Sequence, residues 1–448
     1  MLSLGFLPAT VLFCGSFILN FLVLAYRSPS FPSVRRGVDR IQRAITGRPD
    51  WSWLRLSHLV ALLAAIMAVN VAYNVATLHC ADDSLAALAS GRAVLHGGDP
   101  FSVSTCGMTN YAMPYGLAEV TVNTAGALTG NVLGIWIAWQ LLALTIVPLV
   151  WMVGGKDRRY VAVLTSTSVL YLPNIATNIG VENEIVAVSV LVMLYALQTP
   201  RAGGGTLLKA LAAFLSTARF PAVFPLLGVS SSSRNGRLVH VLVVVGVFLG
   251  AIGLSVALWG RDAVDVVYLG QFTRNAQETF NQFSLLVHSG WIHPSLGLAA
   301  VSGGGILILV LWVNLRRYSA LAASSLPLLG VMLFSQYLTF HFVVWIVPVL
   351  LLGPRVNWAL LAYGTLAYFD ETVAYWYFAL EKGIWWPYEV TGVVIAILLV
   401  FLVFEIVTKE EEALRIRGGP DTVAAVGMSA QISDPEGTGT SASVLGES

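Results

Sequence analysis

Charge is scarce in this chain. Asp, Glu, Lys and Arg together make up 11% of its 448 residues, where a soluble domain carries about a quarter. That deficit excludes an ordinary water-soluble globule. The formal net charge of +1 excludes the basic footprint of a nucleic-acid binder. Cysteine is rarer still, at three residues. No Cys-x-x-Cys pair and no His-Glu-x-x-His stretch is present, so no metal site is legible. Walker and dinucleotide fingerprints are also missing, and no polar stretch is long enough to form a nucleotide-sugar domain. No cofactor is called for.

What fills the chain is apolar sequence. The hydrophobic fraction is 56% and the mean hydropathy is +0.76. Runs near the length that crosses a bilayer recur throughout, and in lipid only a helix satisfies its own backbone at those lengths. The expected class is all-α, a polytopic helical membrane protein with about eleven to thirteen transmembrane helices. Expected spans include Leu4 to Tyr26, Leu56 to Leu78, Val132 to Val153, Val181 to Gln198, Leu238 to Leu258, Tyr318 to Tyr337, Trp358 to Phe369 and Val390 to Val407. No basic residue precedes the first and no cleavage signature closes it, so it reads as a span rather than a signal peptide.

Arginines set the orientation. Arg35, Arg36, Arg40, Arg43 and Arg48 cluster between the first two spans, which places that segment in the cytoplasm. The second span then delivers His79 to Asn131 to the outside. Cys80 and Cys106 share this outer loop, where an oxidising compartment permits a disulfide. Residues 409–448, charged and then rich in Gly, Ser and Thr, are expected to form a disordered cytoplasmic tail.

Thr206 to Val229 is apolar but interrupted by Ser216, Arg219, Pro221 and Pro225. Arginines on both sides call for two short half-spans or a re-entrant hairpin. Broken backbone at membrane depth survives only where protein or a cavity surrounds it, which makes this segment a candidate for lining a site.

Several polar residues stand out against this background. Asp82 and Asp83 directly follow the second span and precede Ser84 to Leu95, which reads as a short amphipathic helix on the outer surface with Leu85, Leu88 and Leu95 on one face. One aspartate can cap that helix. A pair at the water–lipid boundary also suits a general base that takes a proton from an attacking sugar hydroxyl. Arg219 sits in an apolar segment, where it must be paired, hydrated or functional. It fits either an interior salt bridge or a clamp on a lipid phosphate. Glu182 and Glu184, next to Asn178 and Asn183, lie in a tight outer turn and fit either plain solvation or hydroxyl binding. Asn281, Gln282 and Ser284 offer amides and a hydroxyl suited to a sugar. His341 opens a short apolar run and fits either packing or a site.

Taken in order, these segments resemble the GT-C glycosyltransferases, and within them the bacterial mannosyltransferases that use polyprenol-phosphate-mannose. The resemblance rests on Asp83 after a span, Ser90-Gly91-Arg92-Ala93, and Gly97-Gly98-Asp99-Pro100-Phe101. It continues through Gly180 to Asn183, Arg219 two residues before Pro221, Asn281-Gln282 with Ser284, and His341 before Trp345 and Pro348. It covers about residues 56 to 350. The departures are Val181 where the family often has Gln, Arg219 where Lys is frequent, and Asn110 to Pro114, which lacks the usual run of Tyr and Pro. They bear on acceptor and subfamily.

The resemblance implies a transmembrane catalytic domain over residues 56–408, preceded by an additional span and basic loop in 1–55. It implies an active site on the extracytoplasmic face of the cell membrane. The base falls on Asp83, with Asp82 its rival, the donor phosphate on Arg219 with His341 nearby, and sugar or acceptor contacts on Glu182, Asn183, Asn281 and Gln282. The partners it implies are a polyprenyl-phosphate sugar, a lipid or glycan acceptor and the membrane, with no nucleic acid. A lipid or small-solute transporter is the rival reading, because broken spans and a buried arginine suit one too.

Overall fold

The fold was analysed in a computed structural model. It describes residues 18, 21–22, 24–26, 28–47, 54–62, 64–65, 68, 83–103, 115–154, 184–199, 204–229, 234–269, 285–286, 289–291, 293, 296–334, 343–353, 358–370, 374, 378 and 382–417. Every regular element among them is helical. Three helices are long and apolar enough to cross a membrane, Val132–Val153, Gly236–Trp259 and Trp386–Ile416, and shorter apolar helices accompany them. This is the architecture of a multi-pass membrane protein.

The segment 1–403 forms one compact unit and 404–448 another. At the start of the first unit is α1 (Pro32–Thr46). The basic stretch expected as a loop is therefore largely a helix. Pro32 occupies its first turn, where a missing N–H costs nothing, and Gly47 ends it with a left-handed φ of 67°.

The helices α2 (Asp83–Leu95), α3 (Leu117–Ala127) and α4 (Val132–Leu144) pack together. The α3–α4 turn is tight because Gly126 and Gly134 meet there. A Cβ on Gly126 would lie 2.9 Å from the Cα of Ile135. Trp136 and Trp139 of α4 are buried, and each indole N–H has a partner. Trp136 Nε1 donates to Ser84 Oγ at 2.7 Å, and Trp139 Nε1 to Asn123 Oδ1 at 2.9 Å. After a local break at Thr145 the chain continues as α5 (Ile146–Val153).

The centre of the unit is α6 (Glu184–Gln198), whose residues Ile185 to Leu191 are almost wholly buried. It packs on α4, α5 and α7 (Gly204–Ser216). Ser189 Oγ donates to the carbonyl of Ala212 at 2.9 Å, the local partner a buried hydroxyl needs. A short helix α8 (Val223–Gly228) follows a break. It is pressed so closely on α11 (Ala320–Phe334) that a Cβ on Gly228 would come within 2.9 Å of Pro327.

By contrast α9 (Arg234–Trp259) leaves Leu238, Leu242, Leu249, Leu254 and Leu258 exposed, as a lipid-facing span does. The unit also contains α10 (Leu296–Arg316), α12 (Val343–Leu350) and α13 (Trp358–Phe369). The last helix, α14, runs from Trp386 to Arg417.

Two expectations are corrected here. Residues 409–417, expected as the start of a disordered tail, are helical. Lys409 pairs with Glu405 one turn earlier, a spacing that supports an exposed helix. Residues 418–448 lie outside the described set. The second correction concerns α2, expected to rest on the surface by its leucines. It instead buries a face that holds Leu88 together with the small residues Ser84, Ala86, Ala87, Ser90 and Gly91, while Leu95 is exposed. Gly91 is obligatory at that contact. A Cβ there would collide with the carbonyl of Asn123 and stand 2.8 Å from the Cβ of Ala127.

Candidate functional site

The interruption in the residue 206–229 segment has a local cause. Ser216 Oγ and Thr217 Oγ1 fold back onto the carbonyls of Ala213 and Phe214, at 2.7 and 2.6 Å, and compete with continued helix. Pro221, two residues beyond Arg219, has no N–H to extend the ladder. Arg219 itself is extended, with φ −131° and ψ 109°, and the chain then re-forms a 3₁₀ turn over Phe220–Ala222.

The break is tied to the start of α3. Gly116 N donates to Ala218 O at 3.1 Å, and Ala118 N to Thr217 Oγ1 at 3.2 Å. These bonds occupy amides that every helix start leaves without an intrahelical partner. They also bring Arg219 to the first turn of α3. Its Nη2 is 3.6 Å from Glu119 Oε2, with the side chains 4% and 0% exposed. The guanidinium lies over the Tyr115 ring, 3.2 Å from the centroid, a cation–π placement. Glu119 further benefits from the positive end of the α3 dipole. The interior salt bridge that the sequence allowed for Arg219 is present, with Glu119 as its partner.

The Gly97–Phe101 stretch builds a stop and a corner. Gly97, at φ 74°, donates to Val94 O, and Gly98 N donates to Ala93 O. Together these bonds form a Schellman cap on α2. Asp99 Oδ1 accepts from Phe101 N at 2.9 Å, an Asx turn. Phe101 is 3% exposed in a cluster with Val120, Ala263 and Val267, and meets Trp259 edge to face. The carboxylate of Asp99 is therefore committed to the turn.

The register of α2 against α3 decides which candidates share a neighbourhood. Val94, near the C-terminal end of α2, packs on the cluster that holds Val120, near the start of α3. Gly91 faces Asn123 and Ala127. Arg92 reaches Gly130 O past the end of α3. Ser84 meets Trp136, whose side chain leans back toward the α3–α4 turn. The two helices run antiparallel. Gly91 already lies beyond Glu119 along α3, and Asp83 begins α2 roughly 12 Å further on at 1.5 Å per residue. The start of α2 and the Glu119–Arg219 pair sit toward opposite ends of α3.

Asp83 is the first residue of α2, and its side chain lies outside the described set. So do Asp82, Cys80, Cys106, Glu182, Asn183, Asn281, Gln282 and His341. The sequence reading missed Glu119 and Tyr115. An acid within Leu117-Ala118-Glu119-Val120 and an arginine within Thr217-Ala218-Arg219-Phe220 are each untenable alone in an apolar segment, and that shared predicament was the available signal. A second buried acid was missed as well, Asp370, which Thr391 bonds. Comparison with protein-family models, with curated proteins and with solved structures gives no match for this chain.

Proposed function

We propose that the protein is an integral membrane glycosyltransferase with a GT-C-like catalytic domain. In this reading it moves a sugar, mannose by the resemblance, from a polyprenyl phosphate to a lipid-linked or glycan acceptor at the extracytoplasmic face. One observation carries the reading. Asp83 opens a helix that directly follows an apolar stretch of spanning length, and that helix is clamped along its whole length by small-residue packing and the Ser84–Trp136 bond. A helix mounted this way gives its first residue the rigid backbone support a catalytic group requires.

The chemistry follows. The Asp83 carboxylate accepts the proton of the acceptor hydroxyl as its oxygen attacks the anomeric carbon. The bond from that carbon to the phosphate oxygen breaks on the opposite face, and the lipid phosphate leaves as an anion. A β-linked donor gives an α-linked product. Arg219 and His341 are the candidates to steady the leaving phosphate, and Arg219, paired with Glu119, also holds the α7–α8 break against α3. Purified protein, polyprenyl-phosphate-mannose and a membrane-lipid acceptor fraction, read by product mass, test the reading. Transfer that vanishes in Asp83→Asn supports it, and absence of transfer by the unaltered protein from any polyprenyl-phosphate sugar contradicts it.

A transporter or lipid flippase is favoured by a different observation, the buried Glu119–Arg219 pair at a broken helix. Ionisable groups at such breaks line translocation paths. Under that reading, uptake or flipping in proteoliposomes is lost in Glu119→Gln and retained in Asp83→Asn.

A further inference from the structure

Helix α1 carries a pattern that neither reading uses. Val34, Val38, Ile41 and Ile45 recur at spacings of four, three and four, which lines them along one stripe. Ile41 is 61% exposed and Ile45 78%. Arg35, Arg36, Arg40 and Arg43 stand on the flanks and the opposite face, all exposed. The helix has one acid, Asp39, and it is held locally. Tyr26 Oη donates to it at 2.6 Å, and Arg35 Nε is 3.9 Å away.

The helix is also anchored at its start. Phe31, just before Pro32, packs edge to face on Phe21 with centroids 5.5 Å apart. Phe21 and Tyr26 belong to the apolar segment that precedes the turn at residues 28–31. The stripe therefore begins directly after that apolar segment, with cationic side chains on either side.

We propose that α1 is an interfacial helix that binds anionic phospholipid at the cytoplasmic leaflet, its isoleucine stripe in the acyl boundary and its arginines on the headgroup phosphates. The charge decides the occupant. Four guanidinium groups against a single satisfied carboxylate match an anionic lipid surface, and their long stems reach headgroup level while the stripe stays immersed. A water-facing surface would leave Ile41 and Ile45 hydrated for no return.

The test uses the full chain in vesicles of phosphatidylcholine with and without phosphatidylglycerol, with Cys14, Cys80 and Cys106 replaced by Ser. Nitroxide labels at Ile45→Cys and at Arg43→Cys are read for relaxation by oxygen and by a water-soluble nickel chelate. The label at position 45 should favour oxygen and the label at 43 the chelate. In detergent, short-chain phosphatidylglycerol should raise the melting temperature of the unaltered protein. The variant with all four arginines changed to Gln should need about tenfold more lipid or greater for half the effect, and the variant with all four changed to Lys should respond like the unaltered protein. Chelate access at 45 equal to that at 43, or an unchanged lipid response in the Gln variant, overturns the proposal. Spin–spin broadening at 45 also overturns it, because it would mean that a second copy covers the stripe.

Discussion

Arg219 and Glu119 form a buried ion pair between the break that ends α7 and the first turn of α3, with Nη2 3.6 Å from Oε2. The pair converts two residues that lipid would reject into a clasp between segments a hundred residues apart. Removing one partner strands the other, whereas removing both does not. Arg219→Met and Glu119→Gln should each destabilise the protein by about 3 kcal/mol or more, read as thermal unfolding in detergent. The double variant Arg219→Met/Glu119→Gln should lose less than the sum of the two. Additive losses in that cycle would show that the two side chains do not interact.

The glycine at the α2–α3 contact gives a sharper steric test. Gly91→Ala places a methyl on the Asn123 carbonyl and should cost about 1–3 kcal/mol through overpacking. Gly37 in α1 has nothing within 4 Å of a new Cβ. Gly37→Ala should therefore stabilise by about 1 kcal/mol or less, from helix propensity alone. Unfolding temperatures of the two variants, measured side by side, should move in opposite directions.

Ser84 links the mounting of α2 to its proposed chemistry. Ser84→Ala removes the acceptor of the buried Trp136 indole N–H, at a cost of about 1–3 kcal/mol for the stranded donor. Since Ser84 is adjacent to Asp83, the same change should lower kcat more than it raises KM for the sugar donor. A stability loss with kcat intact would separate the clamp from the catalytic role.

These cases show what the sequence made legible. The long spans were readable because Val132 to Val153 and Leu238 to Leu258 are runs of bilayer length with no Asp, Glu, Lys or Arg. The break near Arg219 was readable because Pro221 cannot continue a helix. The partner of Arg219 was not, because pairing across such a separation is set by how α3 and α7 pack. The buried face of α2 was hidden for another reason. Ala, Gly and Ser carry little hydropathy, so a face chosen for close approach leaves no apolar stripe to see. The helical extension to Arg417 was masked by composition, since Lys409 to Glu412 is as compatible with an exposed helix as with a charged tail.

The most direct test of the central claim is transfer from polyprenyl-phosphate-mannose by the purified protein, measured by product mass for the unaltered chain, Asp83→Asn and Asp82→Asn at matched folded amounts. The account predicts an α-linked product from the unaltered chain, retention in Asp82→Asn, and a loss of at least about a hundredfold in Asp83→Asn. Full transfer by Asp83→Asn would contradict it.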